Sequence, residues 1–109
     1  MSRAEAEQIV RRYAERLHEA HYPVRELYLF GSYAKNMFRK WSDIDVAVVT
    51  DDTPGDYYAA QKRLRELAAE VDVRLEPRGI SASDFAEDWQ PLVHEVKTTG
   101  RLLYPEPAA

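Results

Sequence analysis

The sequence has no cysteine in its 109 residues, so neither a disulfide nor a thiolate metal site is available to it. That fits a reducing compartment. No apolar run approaches membrane-spanning length, and no charged-then-apolar leader opens the chain. The expectation is a cytoplasmic protein without membrane contact. Positive charge is in deficit, with 15 Lys and Arg against 19 Asp and Glu and a formal net charge of −4. Such a chain is poorly suited to grasping nucleic acid through its overall field, so direct nucleic-acid binding is not expected. The three histidines, His18, His21 and His94, have no partner spacing and receive no role. There is no internal repeat and no low-complexity segment.

What is present is enough for one domain and not comfortably two. Residues 1–104 read as that domain and 105–109 as a mobile tail. Ser2 and Glu5 have capping-box spacing, and Ala6, Ile9, Val10, Tyr13, Leu17 and Ala20 recur at helical intervals. Pro23 blocks continuation of that helix. Val24–Phe30 reads as a strand broken by Gly31-Ser32, with a short helical turn over Tyr33–Phe38. Asp43–Val49 is a second strand, apolar on both faces beyond its acids and therefore expected to be central. Thr50–Asp56 is a loop by its turn chemistry. A helix from Tyr57 to about Glu70 follows, then a third strand, Val71–Pro77, closed by Pro77 and Gly79. Ser81–Trp89 and Pro91–Thr98 read as short helices, the second stopped by Gly100, and Arg101–Tyr104 as a last extended piece. The fold class is therefore α/β (α+β), a small mixed sheet backed by helices. Strands two and three form a right-handed parallel crossover unit, and strands one and two are free to be antiparallel.

Two carboxylates stand in the central strand. Asp43 and Asp45 differ by two residues and face the same side. Unneutralised, two carboxylates about 4 Å apart repel by roughly 4 kcal/mol at an effective dielectric near 20. Cations are the simplest remedy. With Cα atoms roughly 6–7 Å apart, the pair can converge on two ions. An all-oxygen ligand set suits Mg²⁺ or Mn²⁺ rather than zinc or copper. Parallel strands begin at one sheet edge, which on this reading also gathers Asp72 and the end of strand one with Gly31-Ser32. Glycine lets the backbone approach a ligand closely. With Ser32 capping the next turn, its N–H groups make an anion nest fit for a nucleoside triphosphate. Lys35, Arg39 and Lys40 share the excursion between strands one and two and are placed to screen the β- and γ-phosphates, unless that loop is merely solvated. Arg74 and Glu76 share the face of Asp72 and at most line the cleft. Tyr57, Tyr58, Trp89 and Tyr104 suit core or interface packing better than base stacking.

Gly31-Ser32, ten residues, and then Asp43-Ile44-Asp45 resembles the signature of the polymerase-β-type nucleotidyltransferase superfamily. The short chain, Gly31-Ser-x-Ala34 and Ser42-Asp-Ile-Asp45 are similar to its smallest branch, the minimal nucleotidyltransferases, commonly antitoxins paired with a HEPN-domain toxin. The resemblance covers most of the chain and implies a nucleotidyltransferase palm-like fold. It also implies that Asp43 and Asp45 bind both of two Mg²⁺ ions, that Asp72 completes the site activating the incoming hydroxyl, and that Gly31 and Ser32 hold the triphosphate. Where many relatives have glycine, this chain has Asn36, a residue that tolerates positive φ. The activity implied is transfer of AMP from ATP to a hydroxyl, with a tyrosine of a HEPN toxin as acceptor. The alternatives are an idle antitoxin that acts by binding and a small-molecule transferase of the antibiotic-modifying kind. A hetero-oligomer with the toxin or a homodimer is compatible with so small a chain.

Overall fold

The computed structural model describes residues 1–51 and 56–106. Helix α1 spans Arg3–Glu19, with Ser2 Oγ accepting the Glu5 N–H at 3.1 Å as the capping spacing requires. Strand β1 spans Val24–Phe30, helix α2 Gly31–Ala34, β2 Ile44–Thr50, α3 Tyr57–Val71 and β3 Leu75–Ser81. Helices α4 (Ala82–Ala86) and α5 (Pro91–Thr99) and strand β4 (Arg101–Tyr104) complete the chain. The four strands lie in the order β3-β2-β1-β4. Strand β1 is antiparallel to both β2 and β4, and β2 is parallel to β3. This is the mixed sheet that the strand order implies. No helix among the described residues is long and apolar enough to cross a membrane.

The two sheet faces are covered unequally. On one, Ala6, Ile9, Val10, Tyr13 and Leu17 of α1 and Leu64, Leu67 and Ala68 of α3 pack on Leu27, Leu29, Ile44, Val46 and Val48. The Tyr13 hydroxyl donates to the Leu64 carbonyl at 2.9 Å and ties these two helices together. On the other face a smaller cluster gathers Phe30, Ala47, Ile80, Val93 and Val96. At the start of β2 Asp43 is exposed and Asp45 only partly buried, so both stand in reach of water.

Several expected bounds shift, among them that Asp43 lies just before β2 rather than in it and that α4 ends at Ala86 rather than Trp89. Helix α2 begins at Gly31 rather than Tyr33 and is only one turn long. The third strand is Leu75–Ser81, not Val71–Pro77, because α3 runs on through Val71 and Asp72 caps it. Pro77 and Gly79 lie inside β3 instead of closing it. An edge strand tolerates a residue without an N–H. The Gln61 side chain serves the strand's outer backbone, donating to the Pro77 carbonyl at 2.8 Å and accepting from the Gly79 N–H at 3.1 Å. At the other end, Glu106 pairs with Arg11 at 3.4 Å, and the rest of the expected tail, 107–109, lies outside the described residues. Most of the expected loop, residues 52–55, does so too.

Gln61→Ala removes both edge hydrogen bonds while keeping a strong helix former in α3. The expected loss is about 1–2 kcal/mol. Urea denaturation checks it, and an unchanged midpoint would show that β3 holds its register without Gln61.

Candidate active site

Strand β1 delivers its last residue, Phe30, opposite Asp45 of β2. The next residue, Gly31, has φ +73, a conformation L side chains rarely adopt. A Cβ placed on Gly31 would run into Oδ2 of Asp45. Only glycine meets both demands, so the turn and the acid occupy one place. The turn itself is closed by Lys35 N–H to the Gly31 carbonyl at 3.1 Å and Met37 N–H to the Ser32 carbonyl at 2.8 Å. Asn36 takes φ +59, the left-handed conformation that its side chain tolerates in place of glycine. Ser32 lies within α2, whereas its expected place was the cap. The cap residue is Phe30, which offers no side-chain hydrogen bond to the N–H groups opening the turn. Tyr33 is buried and stacks on Phe38 at 4.5 Å, which anchors the turn to the core.

Around Asp45 the charge is mostly of one sign. Burial raises its carboxyl to a pKa of about 6, helped by the charges of Asp43, Glu76 and Glu95 and opposed by Arg78. Glu76 reaches this group because it is the register partner of Asp45 on parallel β3. Arg78, two residues on, lines a cavity of about 410 Å³ with Phe30, Asp45, Pro91, Leu92 and Glu95.

Of the expected residues, Gly31, Ser32, Asp43 and Asp45 come together. Asp72 is tied to Arg74, whose carbonyl accepts the Ile44 N–H at 2.8 Å between Asp43 and Asp45. The Asp72 carboxylate accepts from the Arg74 N–H at 2.9 Å, Nε at 3.0 Å and Nη2 at 2.8 Å, and these bonds hold it below the usual carboxylate range. Glu76 stands where a third acid was expected. The alternation of buried Leu75 and Pro77 with Glu76 and the exposed Arg78 was the signal for it. Lys35 pairs with Glu95 at 3.3 Å, and Lys40 Nζ lies 5.1 Å from the centre of the Trp41 ring. Tyr57, Tyr58 and Trp89, expected in the core or at an interface, are exposed on the single chain and so lie outside its core.

The family sequence model described as "Polymerase beta, Nucleotidyltransferase" matches residues 14–108. The chain belongs to this nucleotidyltransferase family. Among solved structures, this nucleotidyltransferase domain is similar to one described as the crystal structure of a toxin-antitoxin with AMP-PNP. The TM-score is 0.63 at 26% identity, over 90% of this chain and 72% of that one. A mutant of the toxin-antitoxin MntA-HpeT shares the fold at TM-score 0.62 and 24% identity, over 86% of this chain and 71% of that one. No curated protein matches the nucleotidyltransferase domain by sequence.

The state of Asp45 is measurable. Its folded pKa of about 6 lies above the roughly 3.9 of an unfolded Asp, so the native state binds more protons between those values. Stability of the metal-free protein should therefore fall as pH rises from about 4 to about 6. Asp45→Asn should flatten that fall and be the more stable protein at pH 7. Urea midpoints across this range test it, and parallel profiles for the two proteins would place the repulsion elsewhere.

Proposed function

We infer that the protein is a metal-dependent adenylyltransferase that transfers AMP from Mg·ATP to a tyrosine hydroxyl of a HEPN-domain toxin, and so acts in the cytoplasm as its antitoxin. The observation that carries this reading is the apposition of Gly31 and Asp45, which sets an open backbone turn against a cluster of acids. The nucleotide and the partner class are supported by the AMP-PNP and toxin-antitoxin descriptions of the neighbouring structures.

Asp43, Asp45 and Glu76 would hold the ions. Their donors are all carboxylate oxygens, the chemistry of Mg²⁺ or Mn²⁺. Among the described residues, no group of three acidic or histidine side chains is arranged to hold one ion together. Mg²⁺ commonly takes one or two carboxylates and completes its shell with substrate phosphates and water. When bound, it supplies charge neutralisation of the phosphates and acidification of the acceptor hydroxyl. The Gly31-Ser32 turn receives the triphosphate through its N–H groups. The acceptor oxygen forms its bond to the α-phosphorus as the bond to pyrophosphate breaks, and Glu76 is placed to take the hydroxyl proton. Lys35, drawn to Glu95, orients α2 against α5 rather than standing free for phosphate. The role that the resemblance implies for Asp72 passes in this proposal to Glu76.

Intact-mass analysis of a co-expressed HEPN toxin tests the reading. Wild type should add one or more AMP masses. Asp43→Asn, Asp45→Asn and Glu76→Gln should each lower transfer by more than the roughly 10–100-fold typical of groups one step removed from a metal. Asp72→Asn should remain close to wild type. A silenced toxin without added mass would make the protein an antitoxin that acts by binding. Loss of transfer in Asp72→Asn with retention in Glu76→Gln would restore Asp72 to the site.

A further inference from the structure

The excursion between α2 and β2 carries a feature that nucleotide chemistry does not need. Residues 39–42 form a closed turn. The Ser42 N–H donates to the Arg39 carbonyl at 3.0 Å, and the Arg39 N–H donates to Ser42 Oγ at 2.7 Å. Lys40 and Trp41 stand at its tip. Trp41 is 84% exposed, and Met37 on the same excursion is 73% exposed. The Lys40 ammonium lies over the indole ring. Neither Arg39 nor Lys40 has a carboxylate within ion-pair distance among the described residues.

Two hydrogen bonds thus present a large apolar ring to water beside uncompensated cations. Trp, Met and Arg are enriched where proteins meet, and buried Trp anchors carry much of the affinity. We propose that the Arg39–Ser42 turn, with Met37, is the docking surface for a protein partner whose matching segment is acidic and carries an apolar side chain to cover Trp41. Charge decides the partner's chemistry, because the tip is locally basic on a chain of net charge −4. Exposed Met37, on the same excursion as Trp41, is apolar surface of the kind that protein interfaces enrich, which favours a protein over a nucleic acid. Trp41 is two residues from Asp43, about 7 Å of chain at most. A partner seated on Trp41 therefore holds its hydroxyl close to the acids. This consequence rests on the adenylyltransferase reading, whereas the docking itself does not.

The test is a fluorescence-anisotropy titration in EDTA without nucleotide, so its outcome is independent of metal and ATP. Two labelled 14-residue peptides share their apolar residues and a central tyrosine. One has Asp and Glu at its remaining positions, the other Lys and Arg. A labelled dT 10-mer is the third probe. The acidic peptide should bind, and more weakly as salt shortens the Debye length below about 10 Å. Trp41→Ala should weaken it about 10-fold or more while Mg·ATP affinity is kept, and Arg39→Glu should weaken it too. Circular dichroism verifies the fold of both variants. Equal affinity for the two peptides, no measurable binding of the acidic one, or indifference to Trp41→Ala would overturn the proposal. Tighter binding of the dT 10-mer would overturn it in favour of a nucleic-acid surface.

Discussion

Asp45 presses its carboxylate against the backbone of Gly31, at a point where no residue with a Cβ would fit. Neither partner has much freedom to retreat. Asp45 belongs to β2, whose flanking Ile44 and Val46 are fully buried on the opposite face. Gly31 follows the last residue of β1, and α2 is fastened through buried Tyr33. The sheet therefore forces a half-buried carboxylate into a place where Asp43, Glu76 and Glu95 add to its burden and Arg78 relieves only part of it. An arrangement that raises a carboxyl to about 6 is unfavourable for the empty domain. It becomes favourable once positive charge arrives.

The unequal cover of the sheet makes that arrangement tolerable. The α1–α3 face buries nearly all the large aliphatic residues of the strands and supplies most of the core. The α4–α5 face is closed by short helices, and α5 brings Pro91, Leu92 and Glu95 to the cavity beside Asp45. A fully enclosed set of acids would lose its hydration outright. Here the set stands at the rim, with Asp43 exposed and Asp45 only partly buried. The Lys35–Glu95 pair crosses this rim, joining the turn before β2 to the helix that borders the site.

Where sequence signals were local, the fold could be read from them. Helix α1 follows from the Ser2 cap and its apolar spacing, and β1 and β2 from short apolar runs bounded by breakers. Strand alternation was expected to put Asp43 and Asp45 on one side; Asp43 lies just before β2, and its charge acts on Asp45. Strand β3 could not be read this way. Val71 continues the period of α3, so the junction looks like a strand start only because "VDV" is β-branched and apolar apart from its acid. Pro77 and Gly79 look like stops, and nothing nearby in sequence reveals that Gln61, on another element, satisfies the strand around them. A shift of a few residues in β3 exchanges Asp72 for Glu76. The cap at α2 and the Lys35–Glu95 pair were hidden for a similar reason, since each depends on which elements become neighbours.

Ion pairs across the surface separate the acids by what remains for them to do. Asp51 is matched by Arg25, Glu70 by Arg16, Glu95 by Lys35, and Asp72 by a two-pronged Arg74. Each such carboxylate has much of its charge already compensated, and an incoming cation would have to compete with the resident one. Asp43, Asp45 and Glu76 have no ion pair among the described residues, and the charges of Asp43 and Glu76 both act to raise the Asp45 carboxyl. Surface pairs contribute little to stability, so their absence at three adjacent acids is not a large sacrifice for the fold. It does leave the negative field there intact. Asp72 has the charge that a cation site needs but has spent it on Arg74, and Glu76 has kept it. An incoming cation would therefore meet less competition from a resident partner at Asp43, Asp45 and Glu76 than at Asp72.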